Sequence, residues 1–175
     1  WLVKAFFLPL MFTYSIDAIQ GLGSFSSPSD FFYLYMLLFN VLMFADLLYA
    51  TLGYVFTLRI FNAHIRSSEP TLLGWAVALA CYTPFWHMML YQSYFAYDDG
   101  MNWNTLLPTG IVQYIWGGLI LFFVGIYGLA TVCLGIRFSN LTYRGLVASG
   151  PYRFTKHPAY VAKNLSWWMI SLPFI

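Results

Sequence analysis

Long unbroken runs of apolar residues alternate with short polar connections along this chain. The runs extend from Trp1 to about Ile16, from about Phe31 to Phe61, from about Leu72 to Tyr97, from about Thr109 to Arg137, and from Pro158 to the end of the sequence. A helix needs about 20 apolar residues to span the hydrocarbon core of a bilayer. The pattern therefore predicts about five membrane segments, the first and last of them cut short. Barrel strands would instead show short alternating patterns. The predicted fold class is all-α: a polytopic transmembrane helical bundle forming a single domain over residues 1–175. The second run would reach about 45 Å as one helix, longer than a membrane is thick, so it is expected to tilt or protrude. The polar connections are 17–30, 62–70, 98–108 and 138–157.

Composition agrees with this pattern. Hydrophobic residues make up 61% of the chain and charged residues 8%, with a mean hydropathy of +0.69. A soluble domain carries roughly a quarter charged residues, so lipid must be the solvent for much of this surface. Aromatic residues at 22% suit interfacial belts. The net charge of +2, with no basic stripe interleaved with aromatics, argues against a nucleic-acid partner. The sequence begins at Trp1 and stops at Ile175 inside an apolar run, which reads as a fragment with a further C-terminal segment expected. Cys81 and Cys133 lie in apolar segments and are expected to be buried free thiols. No His, Cys or Asp cluster has metal-ligand spacing.

Charge placement orients the bundle. Arg59 and Arg66 flank the second connection, and Arg137, Arg144, Arg153 and Lys156 occupy the fourth. Asp17, Asp30, Asp98 and Asp99 mark the other two, which hold no Lys or Arg. Cations accumulate on the cytoplasmic side. The 138–157 connection is therefore expected to be cytoplasmic, together with the 62–70 loop and the region of Lys4.

Several polar residues lie within the apolar runs. Asp46, with Asn40 six residues earlier, is a functional candidate by default. The competing reading is an interhelical hydrogen bond, with the carboxyl neutral or paired. His87 and Gln92 are expected to serve packing or interfacial roles, and His64 to be solvated. Asn140-Leu141-Thr142 matches a glycosylation sequon that a cytoplasmic placement makes meaningless. Gly118, Gly125, Gly128 and Gly135 fall within about a 100° arc of a helix. They predict a face for close helix packing, with a lipid or dimer contact as the alternative.

The fourth connection, with Arg137 just before it, holds four of the eight cationic residues. Gly150-Pro151 marks a turn, and Pro158 suits the first turn of a helix because that position needs no amide donor. The amides and dipole of such a helix start would stabilise an anion. The alternative is a solvated basic loop that only fixes topology. The run Gly150-Pro151-Tyr152-Arg153, followed by Lys156-His157-Pro158-Ala159-Tyr160, resembles the signature of the isoprenylcysteine carboxyl methyltransferase and phospholipid methyltransferase family. Lys156 stands where that family more often has Arg.

The resemblance implies S-adenosylmethionine-dependent methyl transfer to an amphiphilic or lipid-like substrate at the cytoplasmic face. It makes Gly150, Pro151, Tyr152, Arg153, His157, Pro158 and Tyr160 cofactor-pocket candidates. Arg153 and the helix amides would face the cofactor carboxylate, and Tyr152 or Tyr160 its adenine or sulfonium. The family's second motif, an Arg with paired Glu residues, would lie beyond Ile175, so no catalytic residue is assigned. Two other readings stay open: a membrane reductase of related fold that also carries His-Pro, and a non-catalytic lipid-binding or assembly subunit of a larger membrane complex.

Overall fold

The computed structural model describes residues 2–23, 31–83, 85–86, 88, 103–108 and 110–171. The elements in order are α1 (Leu2–Gly23), α2 (Phe31–Val55), β1 (Ser67–Ser68), α3 (Leu72–Ala80), α4 (Trp103–Leu106), α5 (Ile111–Leu134), β2 (Thr142–Tyr143) and α6 (Pro158–Ser171). Turns of 3-10 helix occupy Gly135–Arg137 and Gly150–Arg153. α1 packs on α2, α2 on α5, and α5 on α6. Among the described residues, three helices are long and apolar enough to cross a membrane: Leu2–Gly21, Phe31–Val55 and Ile111–Arg137.

Of the five expected segments, the third and the fifth are described only in part. α3 stops after nine residues and gives way to a turn at Cys81. α6 is described for 14 residues. The second run is shorter than expected: α2 ends at Val55, and the chain turns through Arg59–Asn62, with Asn62 at φ 50°. Its 25 residues reach about 38 Å, so it has less need to tilt or protrude than the predicted run. α1 is longer than expected and carries the exposed Asp17 on its surface. Asp30, Asp98, Asp99, His87 and Gln92 lie outside the described residues.

Side-chain shape builds the interior, because lipid tails are as apolar as the core and offer no hydrophobic drive between helices. One cluster joins Val3, Phe7 and Met11 of α1 to Ala50 and Tyr54 of α2. In it the Phe7 and Tyr54 rings stack at 5.8 Å. A second joins Tyr35 of α2, Trp103 of α4, and Ile120 and Val124 of α5. The predicted glycine seam is realised only in part. A Cβ at Gly128 would touch Leu42 at 3.9 Å, but none would meet anything within 4 Å at Gly118, Gly125 or Gly135. The close approaches occur at Gly117, packed against Phe31 and Trp103, and at Gly53, where a Cβ would fall 2.6 Å from the Phe138 carbonyl oxygen. Both cysteines are free, but Cys81 is exposed rather than buried, because α3 turns it outward at its end.

A short antiparallel ladder was not apparent in the sequence. Ser67 pairs with Tyr143 and Ser68 with Thr142. Arg66 N–H donates to the Tyr143 carbonyl at 2.9 Å, and Glu69 N–H to that of Leu141 at 2.8 Å. The ladder brings the two cation-bearing connections to one end of the bundle. Lys4 lies at the same end, donating to Thr57 Oγ1 at 3.1 Å.

Candidate functional site

The 135–157 connection folds back over the end of α2. Gly135, at φ 51°, ends α5. Asn140 N–H then donates to the Tyr54 hydroxyl at 2.7 Å, and its side-chain amide to the Tyr82 hydroxyl at 2.9 Å. The sequon asparagine is thus a structural strut. Arg144 is buried beneath this layer, 2% exposed. Its Nη1 donates to the carbonyls of Gly53 at 2.5 Å and Ile136 at 3.1 Å, and its guanidinium lies 5.7 Å from the Tyr54 ring centre. Its Nε and Nη2 are buried without a partner among the described residues. Burial lowers the guanidinium from its ordinary pKa, against the opposing pull of Tyr54.

The predicted motif follows. Gly150 adopts φ 56°, and a Cβ there would sit 2.5 Å from Cys133 Sγ on α5, so glycine is required on two grounds. Tyr152 N–H bonds to the Ser149 carbonyl and Phe154 N–H to that of Pro151, closing the turn. Pro158 is buried as the first residue of α6, and Val161 N–H donates to the His157 carbonyl at 3.1 Å. This is the helix start that the His-Pro pair predicts.

The seven predicted residues do not converge on one cavity. Gly150, Pro151, Arg153 and Pro158 line a groove of about 550 Å³ between α5 and α6. Its walls, including Phe123, Ile126 and Leu129 of α5 and Val161, Ala162 and Leu165 of α6, are almost entirely carbon. Arg153 is exposed at its rim. Tyr152, His157 and Tyr160 lie outside it. Tyr152 is half-buried, which pushes its phenol up to about 12 and keeps it neutral. His157 and Tyr160 are exposed, with ring centres 5.9 Å apart. A second cavity of about 550 Å³, with a more polar lining that includes Cys133, Arg137 and Ser149, holds none of the seven.

The donor set suits part of S-adenosylmethionine: Arg153 matches a carboxylate, and the His157–Tyr160 pair offers aromatic faces to a sulfonium. No group of three or more potential metal ligands occurs among the described residues.

Two polar features escaped the sequence reading. The first is Lys163 of α6, whose ammonium lies 5.4 Å from the Tyr127 ring centre and whose charge acts on Asp46. A lysine inside an apolar run was the available signal. The second is Arg144, whose spacing does not separate it from the loop's other cations. Asp46 itself is buried and paired: the Tyr127 hydroxyl and Thr131 Oγ1 both donate to its carboxyl. Asn40 bonds within its own helix, to the Met36 carbonyl. His64 is half-buried rather than solvated, and its Nδ1 is enclosed without a partner among the described residues, because the ladder covers the loop that carries it. In comparison with known proteins, the chain matches no family model, no curated protein and no solved structure.

Proposed function

We propose that this membrane protein is an S-adenosylmethionine-dependent methyltransferase acting on an amphiphilic, lipid-like substrate at the cytoplasmic face. The observation that carries the reading is the local structure of the motif. Gly150–Arg153 forms a tight turn against α5, and Pro158 opens α6, so that Arg153, His157 and Tyr160 are presented at the cationic end of the bundle. The cofactor supplies an activated methyl group. In this reading Arg153 and the first amides of α6 hold its carboxylate, His157 and Tyr160 face the sulfonium, and Gly150, Pro151, Tyr152 and Pro158 shape the turn. The finer topology belongs to the same proposal: about five membrane segments, with the 138–157 connection cytoplasmic.

Calorimetric titration of S-adenosylhomocysteine into the detergent-solubilised protein tests the proposal. Binding by the wild type is expected, weakened roughly ten- to a hundredfold by Arg153→Ala. Equal binding by wild type, Arg153→Ala and His157→Ala rejects the site. A second reading, a non-catalytic lipid-binding or assembly subunit, is favoured by one observation: the cavity beside the motif is lined by carbon rather than by polar groups. Absence of any cofactor binding by the wild type selects that reading.

A further inference from the structure

The α5–α6 groove has a polarity gradient that runs along the helix axes. Its upper end is the 150–155 turn, with Arg153 and Thr155 on the rim and the exposed Lys156 next in sequence. From there it descends between α5 and α6. Leu129 precedes Phe123 going inward on α5, and Val161 precedes Leu165 on α6. Seven residues of helix cover about 10 Å, so the groove enters the apolar length of Ile111–Arg137 that is fit to cross a membrane. No Asp or Glu occurs anywhere from Phe138 to Ser171. The other two cations of that stretch are engaged elsewhere: Arg144 is buried under the loop, and Lys163 lies over Tyr127.

We propose that this groove is a binding site for one anionic glycerophospholipid of the bilayer. An acyl chain lies between α5 and α6, and the phosphate meets Arg153 and Lys156. Three features support this occupant. The volume of about 550 Å³ is in the range of ligand sites. The wall offers almost no hydrogen-bond partner, which suits a hydrocarbon chain and penalises a polar ligand. Among the described residues the free charge at the mouth is wholly positive, and each such cation near a membrane surface favours anionic lipid. The proposal is independent of methyl transfer. It does use Arg153, the cation also assigned to the cofactor carboxylate, so it is tested with no cofactor present.

The test is photo-crosslinking of the purified protein in mixed micelles. The probe is a phosphatidylglycerol carrying a diazirine in one acyl chain, and labelled peptides are mapped by mass spectrometry. Label is expected on the Phe123–Leu129 and Val161–Leu165 stretches. Unlabelled phosphatidylglycerol should displace it about tenfold more effectively than phosphatidylcholine. The double variant Arg153→Gln, Lys156→Gln should lose that preference while the chain still enters the groove. Leu129→Trp, at a position 53% exposed where a larger side chain need not disturb the core, should abolish groove labelling with the cations intact. Label spread evenly over the exposed faces of α1 and α2, such as Phe12 and Leu34, overturns the proposal. So does equal competition by the two lipids, or an unlabelled groove, which would mean that protein fills it. Failure of cofactor binding changes none of these outcomes.

Discussion

Thr131 of α5 donates a 2.5 Å hydrogen bond to the carboxyl of Asp46 on α2, across 85 positions of sequence. Tyr127, one turn earlier on α5, donates to the other carboxyl oxygen. Lys163 brings α6 into the same cluster through the Tyr127 ring. Three helices are thus tied at one depth by polar groups that lipid cannot satisfy.

The cluster makes Asp46 sensitive to polarity more than to charge. Asp46→Asn keeps an acceptor oxygen, and its effect on stability is expected to stay within about 1 kcal/mol. Asp46→Leu takes the carboxyl acceptor from two buried hydroxyls and leaves Thr131 only its 3.4 Å bond to the Tyr127 carbonyl, and the expected loss is about 2–3 kcal/mol. Unfolding by sodium dodecyl sulfate in mixed micelles measures both. Equal effects of the two substitutions would refute the hydrogen-bond account.

Arg144 presents the opposite case. Its two carbonyl bonds bring a modest gain, while a buried guanidinium with two nitrogens unpaired among the described residues costs several kcal/mol. Arg144→Met, which keeps much of the volume, is therefore expected to leave the thermal midpoint unchanged or raise it. A clear fall in the midpoint would show that Nε and Nη2 have a partner in the working protein.

The glycines separate into two classes. At Gly53 an added methyl meets a backbone carbonyl that cannot move aside, so Gly53→Ala should cost about 1–3 kcal/mol. At Gly118 and Gly125 the methyl meets open space, so alanine should stabilise α5 by about 0.5–1 kcal/mol each. Melting of the three variants in one detergent checks the contrast, and a destabilised Gly118→Ala would point to a contact partner for that face.

Ser67 and Ser149 are both exposed, and the ladder puts their connections at one end of the bundle. Single cysteines at the two positions are expected to react with an impermeant maleimide from the same side of sealed vesicles. Labelling from opposite sides would contradict both the ladder and the charge-based topology.

The three long helices were legible because a bilayer turns helix prediction into a count of apolar residues, and α1, α2 and α5 each follow such a run. The third run is less simply read: α3 ends at Ala80, and Pro84, three positions past Cys81, disfavours helix at the residue before it, while most of the rest of that run lies outside the described residues. The helix start at Pro158 and the turn at Gly150 were legible because proline and glycine restrict the backbone locally. Which way Arg153, His157 and Tyr160 face was not, since that depends on how α6 lies against α5. Angular arithmetic likewise picked out Gly118 and Gly125, but a helical wheel cannot say which face meets a neighbour, and Gly117 does.

The ladder between Ser67–Ser68 and Thr142–Tyr143 also sets an order of events. β1 is synthesised first, and α3, α4 and α5 are all made before β2 exists. Until then the amides of Arg66 and Glu69 lack the carbonyls they finally bond. Contacts between sequence neighbours such as α1 and α2 form early, whereas a closure this distant comes late. The cationic end therefore acquires its shape only after α5 has been made. A chain interrupted before Thr142 would hold its membrane helices without the face they support.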